Sequence, residues 1–414
     1  MKPTQIYNLF LAFLAPAVIF SDLALYINDK ELYPITMKHW TVIMFGAAIL
    51  LWGLNKKQII PTLRSPLMRW LGLYFLVVIF GGIISIGFLG NFIEPATTQF
   101  NDHFLSILFL FAFIIIVFRE SAFHFARKVM VGVLILSVFI NIYDFIMLDE
   151  NQFSFIMGRA AGLYGNPNAA GIALTFGFLV TIGIIPANYK FAFSSWVYLG
   201  IILTQSRGSI LVFGIIFMIL FFRGTYSRKS ILLIGSLALS VGIVAGIYLF
   251  DKYKDEFLYK MEGMTTMFER FNQLSSLKAQ KLEEDPRGDL ALYYFDIWTN
   301  RALFGYGMGA AYFFADNSPE RGSSSHNQFL NLMVDFGLIG FFLIAFFLSS
   351  IISYDQQRHW YLECILFIMV FFLFSFTSHN MFDQYNLLFV YAMMGRLVQH
   401  KYEYGHAEIR LKLK

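Results

Sequence analysis

The sequence predicts an all-α polytopic integral membrane protein with about twelve transmembrane helices and one long helical loop between the ninth and tenth. Three observations carry this expectation: the composition, the recurrence of apolar runs, and the placement of basic residues. Of 414 residues, 57% are hydrophobic and 14% charged, and the mean hydropathy is +0.61. Soluble domains carry about one quarter charged residues. Such a chain does not belong in water.

The apolar runs and their basic flanks alternate from one end to the other. Lys2 precedes Ile6 to Ile27, and Lys30 and Lys38 border the gap before Thr36 to Leu54. Lys56, Lys57, Arg64 and Arg69 then lead into Trp70 to Gly90 and His103 to Phe118. Arg119, Arg127 and Lys128 mark the next turn, followed by Lys128 to Leu148, a short segment with Arg159, and Asn168 to Pro186. Lys190 opens Phe191 to Thr204. Arg207 stands between that run and Ser209 to Phe222, a pair that also reads as one broken helix. Arg223, Arg228 and Lys229 precede Ser230 to Phe250. Beyond the long loop come Gln328 to Ser353, Arg358, Trp360 to Phe376, and Tyr385 to Gln399 with a basic tail. Several runs fall below the roughly 20 residues of a usual span, so their boundaries are soft.

With the N-terminus inside, 18 of the 31 Lys and Arg residues lie on inner segments. Only four, Lys30, Lys38, Arg159 and Arg207, lie on short outer ones. Positive-inside bias is counted over short loops, so this ratio sets the orientation, with both termini cytoplasmic. The first run has a weak basic start and no small-residue cleavage site, and it reads as a retained span. The net charge of +4 sits mainly on the inner face, where anionic headgroups account for it without nucleic acid. Cys364, the single cysteine, falls inside a span and reads as a small packing residue.

Asp251 to Ser325 is the exception, 75 outer residues with 9 basic and 12 acidic side chains. Tyr253, Phe257, Met261, Met264, Phe268, Phe271 and Leu274 recur at helical spacing and predict an amphipathic helix, broken by Pro286. A second helix is expected from about Asp289 to Arg301, its apolar face made of Leu290, Tyr294, Ile297 and Trp298. The loop is short for an independent domain and reads as a lid. The chain thus divides into a bundle at 1–250, a loop at 251–325, further spans at 326–399 and a basic tail at 400–414.

The candidate chemistry gathers on the outer side. Ser323 to Ser325 precede His326, so a serine N-cap would place the histidine in the first turn of the tenth span. The positive helix end keeps the ring neutral and attracts anions. Gly337 and Gly340 further along would allow close helix packing. The plain alternative is an interfacial histidine that only caps a helix. Arg207 lies between two apolar runs, where a charge is costly unless it faces protein or water, and a functional role is the default. The competing explanation is an arginine reaching for headgroups. Arg287 follows Pro286 in the loop, where solvated arginines such as Arg301 and Arg321 are common. Two arginines and a histidine at a membrane mouth suit a diphosphate and the deprotonation of an alcohol.

The remaining features carry less. Gly165 to Gly171 read as a turn and an N-capped helix. Gly305, Gly307 and Gly309 follow no strand and are not a dinucleotide fingerprint. No CxxC, HExxH or carboxylate cluster points to a metal. His103, His379 and Asp383 share the outer side, but nothing in their spacing forms a site.

With these residues in view, the chain resembles the O-antigen ligase and polymerase superfamily of bacterial envelope glycosyltransferases. The span count, the cytoplasmic termini and the long loop match. His326-Asn327, nine residues on to Gly337 and then Gly340, fits the ligases' H-[NSQ]-x9-G-x-x-[GTY] pattern. Arg207 to Leu211 fits their R-x3-L pattern, and Arg287 corresponds by position to their long-loop arginine. The resemblance implies transfer of a glycan from undecaprenyl diphosphate to a lipid A-core sugar hydroxyl, at the periplasmic face of the inner membrane. It implies that Arg207 and Arg287 hold the diphosphate and that His326 acts as general base or positions the acceptor hydroxyl, with inversion and with neither metal nor other cofactor. Membrane lipids would be its other contacts. Polymerases of the superfamily carry R-x10-G motifs in two sizeable loops. Here Arg159 and Arg287 meet Ala170 and Trp298 at that offset, which favours a ligase. A polymerase and a protein O-oligosaccharyltransferase remain the alternatives. A twelve-span transporter or flippase is more distant, because the notable polar groups gather outside instead of at midplane.

Overall fold

The computed structural model describes residues 2–30, 35–88, 93–147, 153–154, 159–232, 235, 286–315, 318, 325–352, 362–378 and 380–412, with backbone alone at 86–88, 286–287 and 400–412. Every regular element among them is helical. The helices are α1 (Pro3–Leu14), α2 (Leu23–Asp29), α3 (Met37–Leu54), α4 (Lys56–Leu63), α5 (Pro66–Phe88), α6 (Ile93–Ile116), α7 (Glu120–Ile146), α8 (Pro167–Thr181), α9 (Ala187–Leu203) and α10 (Arg207–Phe222). After 285 come α11 (Pro286–Asn300), α12 (Ala310–Ala315), α13 (Gln328–Phe336), α14 (Leu338–Ile351), α15 (Leu362–Ser375) and α16 (Tyr385–Lys412).

Among the described residues, six helical stretches are long and apolar enough to cross a membrane: Pro3–Phe20, Met37–Leu54, Pro66–Ser85, Ile93–Ile116, Glu120–Ile146 and Pro167–Ile184. Arg207–Phe222, Leu338–Ile351 and Leu362–Ser375 are shorter apolar helices. Most of the expected span Ser230 to Phe250, and the amphipathic helix expected around Tyr253 to Leu274, lie outside the described residues.

Three expected elements take a different form. The first run is not one helix: Ala15–Phe20 is a π-turn, in which the Ser21 amide reaches the Pro16 carbonyl at 3.2 Å. Pro16 lacks an N–H, and the ladder rearranges around it. Asp22 then takes a left-handed conformation before α2. The second loop helix begins at Pro286, three residues before the expected Asp289, the missing N–H of proline being harmless at the first position. The tenth run, expected from Gln328 to Ser353, is two helices, α13 and α14, separated at Gly337.

The chain forms two compact units. The first comprises Met1–Leu134, Leu179–Gly183 and Pro286–Lys414. Its centre is α6, against which α3, α5 and α16 pack. Beside it is an aromatic cluster from α5, α14, α15 and α16. The Phe347 ring lies 4.9 Å from that of Trp70 and 4.8 Å from that of Tyr391. Lipid tails are as apolar as phenylalanine, so such a core coheres through packing and buried hydrogen bonds. One is the Trp70 indole N–H donating to the Leu343 carbonyl at 2.8 Å. Cys364 is fully buried in α15, as a packing residue should be. In α11, the expected face holds: Leu290, Tyr294 and Ile297 are buried against Ala310, Ala311, Leu330 and Val334, with Trp298 packed alongside.

The second unit comprises Ile135–Phe178 and Ile184–Asp285. In it α9 and α10 are separate helices packed on one another, not one broken helix. Asn141 on α7 donates to the Gly200 carbonyl of α9 at 3.3 Å. Phe178 on α8 meets Phe213 on α10 edge to face at 4.8 Å.

Candidate functional site

The start of α13 is built by Asn327. Its side-chain oxygen accepts from the Phe329 and Leu330 amides at 2.9 and 3.1 Å, satisfying two first-turn donors. The expected serine cap is therefore wrong. Asparagine is the stronger cap here because its oxygen reaches two amides. The Ser325 hydroxyl instead accepts from the Asn327 amide at 3.2 Å and lies 3.0 Å from Asn331 Oδ1. His326 is consequently outside the helix, not in its first turn. It is half-buried and holds a left-handed φ of 47°. For a residue with a side chain that conformation costs about 1–3 kcal/mol and persists only where its surroundings enforce it.

Gly337 ends α13 with a φ of 61°, and a Cβ there would stand 2.4 Å from the Leu303 carbonyl group. Its amide bonds to Met333 and the following Leu338 amide to the Ala302 carbonyl, 2.8 and 2.9 Å. At Gly340 a Cβ would meet the Leu332 carbonyl oxygen. Among the described residues both glycines pack closely, Gly337 against the 302–303 segment and Gly340 against Leu332 of α13, and not against another long span.

The glycine-rich turn at 305–309 acquires a role that the sequence left open. Tyr306 and Gly307 donate to the backbone carbonyls of Val334 and Asp335 at 2.8 and 2.9 Å. The buried Asp335 carboxylate accepts from Gly309 N at 3.3 Å and Ala311 N at 2.9 Å. Gly309, at φ 83°, lies so close to Pro95 and Ala96 that a Cβ would be 2.6 Å from their backbone. One aspartate on α13 thus fixes the turn that leads into α12.

The predicted arginines also stand at helix starts. Arg207 is the first residue of α10 and is exposed. Ser206, its N-cap, turns its hydroxyl to Ser209 Oγ at 3.1 Å and caps no backbone amide. Gln205, two residues earlier, is left-handed with φ 52°. Arg287 is the second residue of α11. A cation at a helix N-terminus opposes the helix dipole by about 0.3–1 kcal/mol, whereas an anion there is favoured. Arg207 belongs to the second unit, Arg287 and His326 to the first.

Sequence spacing missed one constellation. His103 on α6 and Asp383, in the turn before α16, do come together, with Nδ1 to Oδ1 at 2.7 Å. The Tyr74 hydroxyl on α5 is also 2.7 Å from His103 Nδ1. His103 and Tyr74 are buried, and Asp383 is 21% exposed. Gln328, the first residue of α13, ties this turn down by accepting from the Met381 amide at 2.7 Å. Tyr312 on α12 is held above the usual phenol range, first by partial burial and then by the Asp383 and Asp102 carboxylates. The only sequence signal was the shared outer assignment of His103 and Asp383; their pairing needs the bundle. His379 lies outside the described residues. Among the described residues, no group of three His, Cys, Asp or Glu is placed to hold a metal ion.

Residues 191–345 match the family model described as O-antigen ligase. The chain carries an O-antigen ligase family domain. The matched segment starts inside α9 and ends inside α14. It takes in Arg207, Arg287, His326, Asn327, Gly337 and Gly340, and leaves out Tyr74, His103 and Asp383. A search of curated proteins finds none that matches this chain. That match points to polysaccharide and lipid-linked substrates in general.

Proposed function

We propose that this protein is an O-antigen ligase, moving a finished glycan from undecaprenyl diphosphate to a sugar hydroxyl of the lipid A core, at the periplasmic face of a bacterial inner membrane. One observation carries the reading. Of the three non-glycine residues with left-handed backbone among those described, one is His326 and another is Gln205, in the turn that launches Arg207. Strain gathered at residues within a ligase-family segment is the pattern of a functional site. Asp22 is the third.

In this scheme the acceptor hydroxyl oxygen attacks the anomeric carbon as its proton passes to His326. The bond from that carbon to the diphosphate oxygen breaks, and its electron pair stays on undecaprenyl diphosphate. A single displacement inverts the anomeric centre. Arg207 and Arg287 stabilise the charge growing on the leaving group, as preorganised electrostatics. Because diphosphate is already an activated leaving group, neither a metal nor another cofactor is required.

The test is the lipopolysaccharide of a deletion strain, resolved on gels. A core without long chains, with lipid-linked polymer accumulating, is the expected result. A core carrying a single repeat would make the protein a polymerase. Unchanged lipopolysaccharide with an unglycosylated envelope protein would make it a protein O-oligosaccharyltransferase.

A further inference from the structure

We propose that Arg159 is a positioning residue for Arg207, fixing the turn from which Arg207 projects without itself touching the substrate. The inference rests on the reading of Arg207 as a diphosphate contact. It concerns the second unit alone.

Arg159 lies between α7 and α8, followed by the buried Ala160 and Ala161. Its guanidinium bridges two helices. Nε donates to the Thr204 carbonyl at 3.0 Å, and Nη2 donates to Asn168 Oδ1 at 3.0 Å. Thr204 is the C-cap of α9, so its carbonyl is among those a helix end leaves unsatisfied. Asn168 is the second residue of α8, and its amide donates to Asn166 Oδ1 at 2.8 Å.

The segment around Arg159 is itself anchored. Ala160 N donates to the Leu203 carbonyl at 3.3 Å, and the buried Asp144 carboxylate accepts from Ala161 N and Gly162 N at 2.8 and 3.1 Å. The far side of the turn is equally confined. The Ser206 amide donates to Thr204 Oγ1 at 3.2 Å, and a Cβ on Gly171 of α8 would be 2.4 Å from Ser209 Oγ. Only Gln205 and Ser206 separate Thr204 from Arg207, and Gln205 is in the left-handed conformation. A chain held this tightly transmits any shift of Thr204 to the start of α10. The planar fork also explains the residue type. Arginine reaches two acceptors in fixed geometry, whereas a lysine ammonium lacks that geometry.

The experiment compares full-length Arg159→Ala, Arg159→Lys, Arg207→Ala and the double alanine variant, assayed with lipid-linked glycan donor. Donor KM for Arg159→Ala should rise about 10- to 100-fold, the scale of an ångström-sized misplacement, with a smaller change in kcat. Amide exchange over Thr204 to Ser209 should quicken, and Arg159→Lys should recover only part of the loss. In the Arg207→Ala background, Arg159→Ala should add less than about 3-fold, because the group it positions is gone.

Equal losses in both backgrounds would overturn the positioning role and leave the diphosphate reading intact. So would faster exchange with an unchanged KM. A normal donor KM for Arg207→Ala would overturn both. Should Arg159→Ala fail to insert, Asn168→Ala removes one of the two acceptors, and the same comparison is made with it. An Asn168→Ala protein with unaltered donor KM would then end the proposal.

Discussion

In the proposed scheme the chemistry turns on His326, and its replacement gives the sharpest test. His326→Ala should insert normally and bind lipid-linked donor, while transfer falls about 10²–10⁴-fold, the usual contribution of a general base. Single-turnover transfer by purified protein, at matched expression, measures it. Near-normal transfer would reduce the histidine to a neighbour of a helix cap. Asn327 predicts a different phenotype. Asn327→Ala leaves the Phe329 and Leu330 amides without their acceptor and should cost about 0.5–2 kcal/mol of stability, read as a lower melting temperature in detergent. The histidine motif was legible in the sequence because its spacing is local. Which side chain caps the helix was not, because Ser325 and Asn327 both favour that position and only the backbone path chooses between them.

At the scale of elements, the 305–311 turn depends on Asp335. Removing the carboxylate in Asp335→Ala leaves the Gly309 and Ala311 amides unpaired in a buried place, at about 1–3 kcal/mol for each such group. The expected result is faster proteolytic cleavage between Gly305 and Ala311, with α1 to α6 still protected. Asp335→Asn keeps an acceptor oxygen and should lie between the two. Cleavage unchanged in Asp335→Ala would show that the backbone bonds from Tyr306 and Gly307 suffice. The face of α11 was readable from Leu290, Tyr294 and Ile297, since a 3.6-residue period is written into the sequence. The break at Gly337 was hidden, because apolar residues continue on both sides and hydropathy averages across it.

The whole molecule tests orientation and cofactor need. A reporter active only outside the cytoplasm should be active when fused near Lys281 and silent after Lys414, as the 18-to-4 distribution of basic residues requires. The reverse pattern would put His326 on the cytoplasmic side and remove it from any periplasmic reaction. Purified protein should also transfer glycan in chelator, with no metal or nucleotide added. Activity lost on chelation and restored by a divalent ion would reveal a metal-dependent step.

The sequence by itself determined that this is a helical membrane protein, where most of the described helices fall, and which residues of the ligase-like motifs to examine. Those features are local: an apolar run, a basic flank and a fixed spacing each act within a few turns of chain. Tertiary structure alone decided that Tyr74, His103 and Asp383 meet, and that one carboxylate on α13 holds a glycine turn. It also decided that Arg159 joins the end of α9 to the start of α8. The first two are buried polar contacts between segments remote in sequence, and the third brings a part-buried guanidinium to a carbonyl in another helix. Hydropathy records the cost of burying such a group, but only the packed bundle supplies the partner that offsets it.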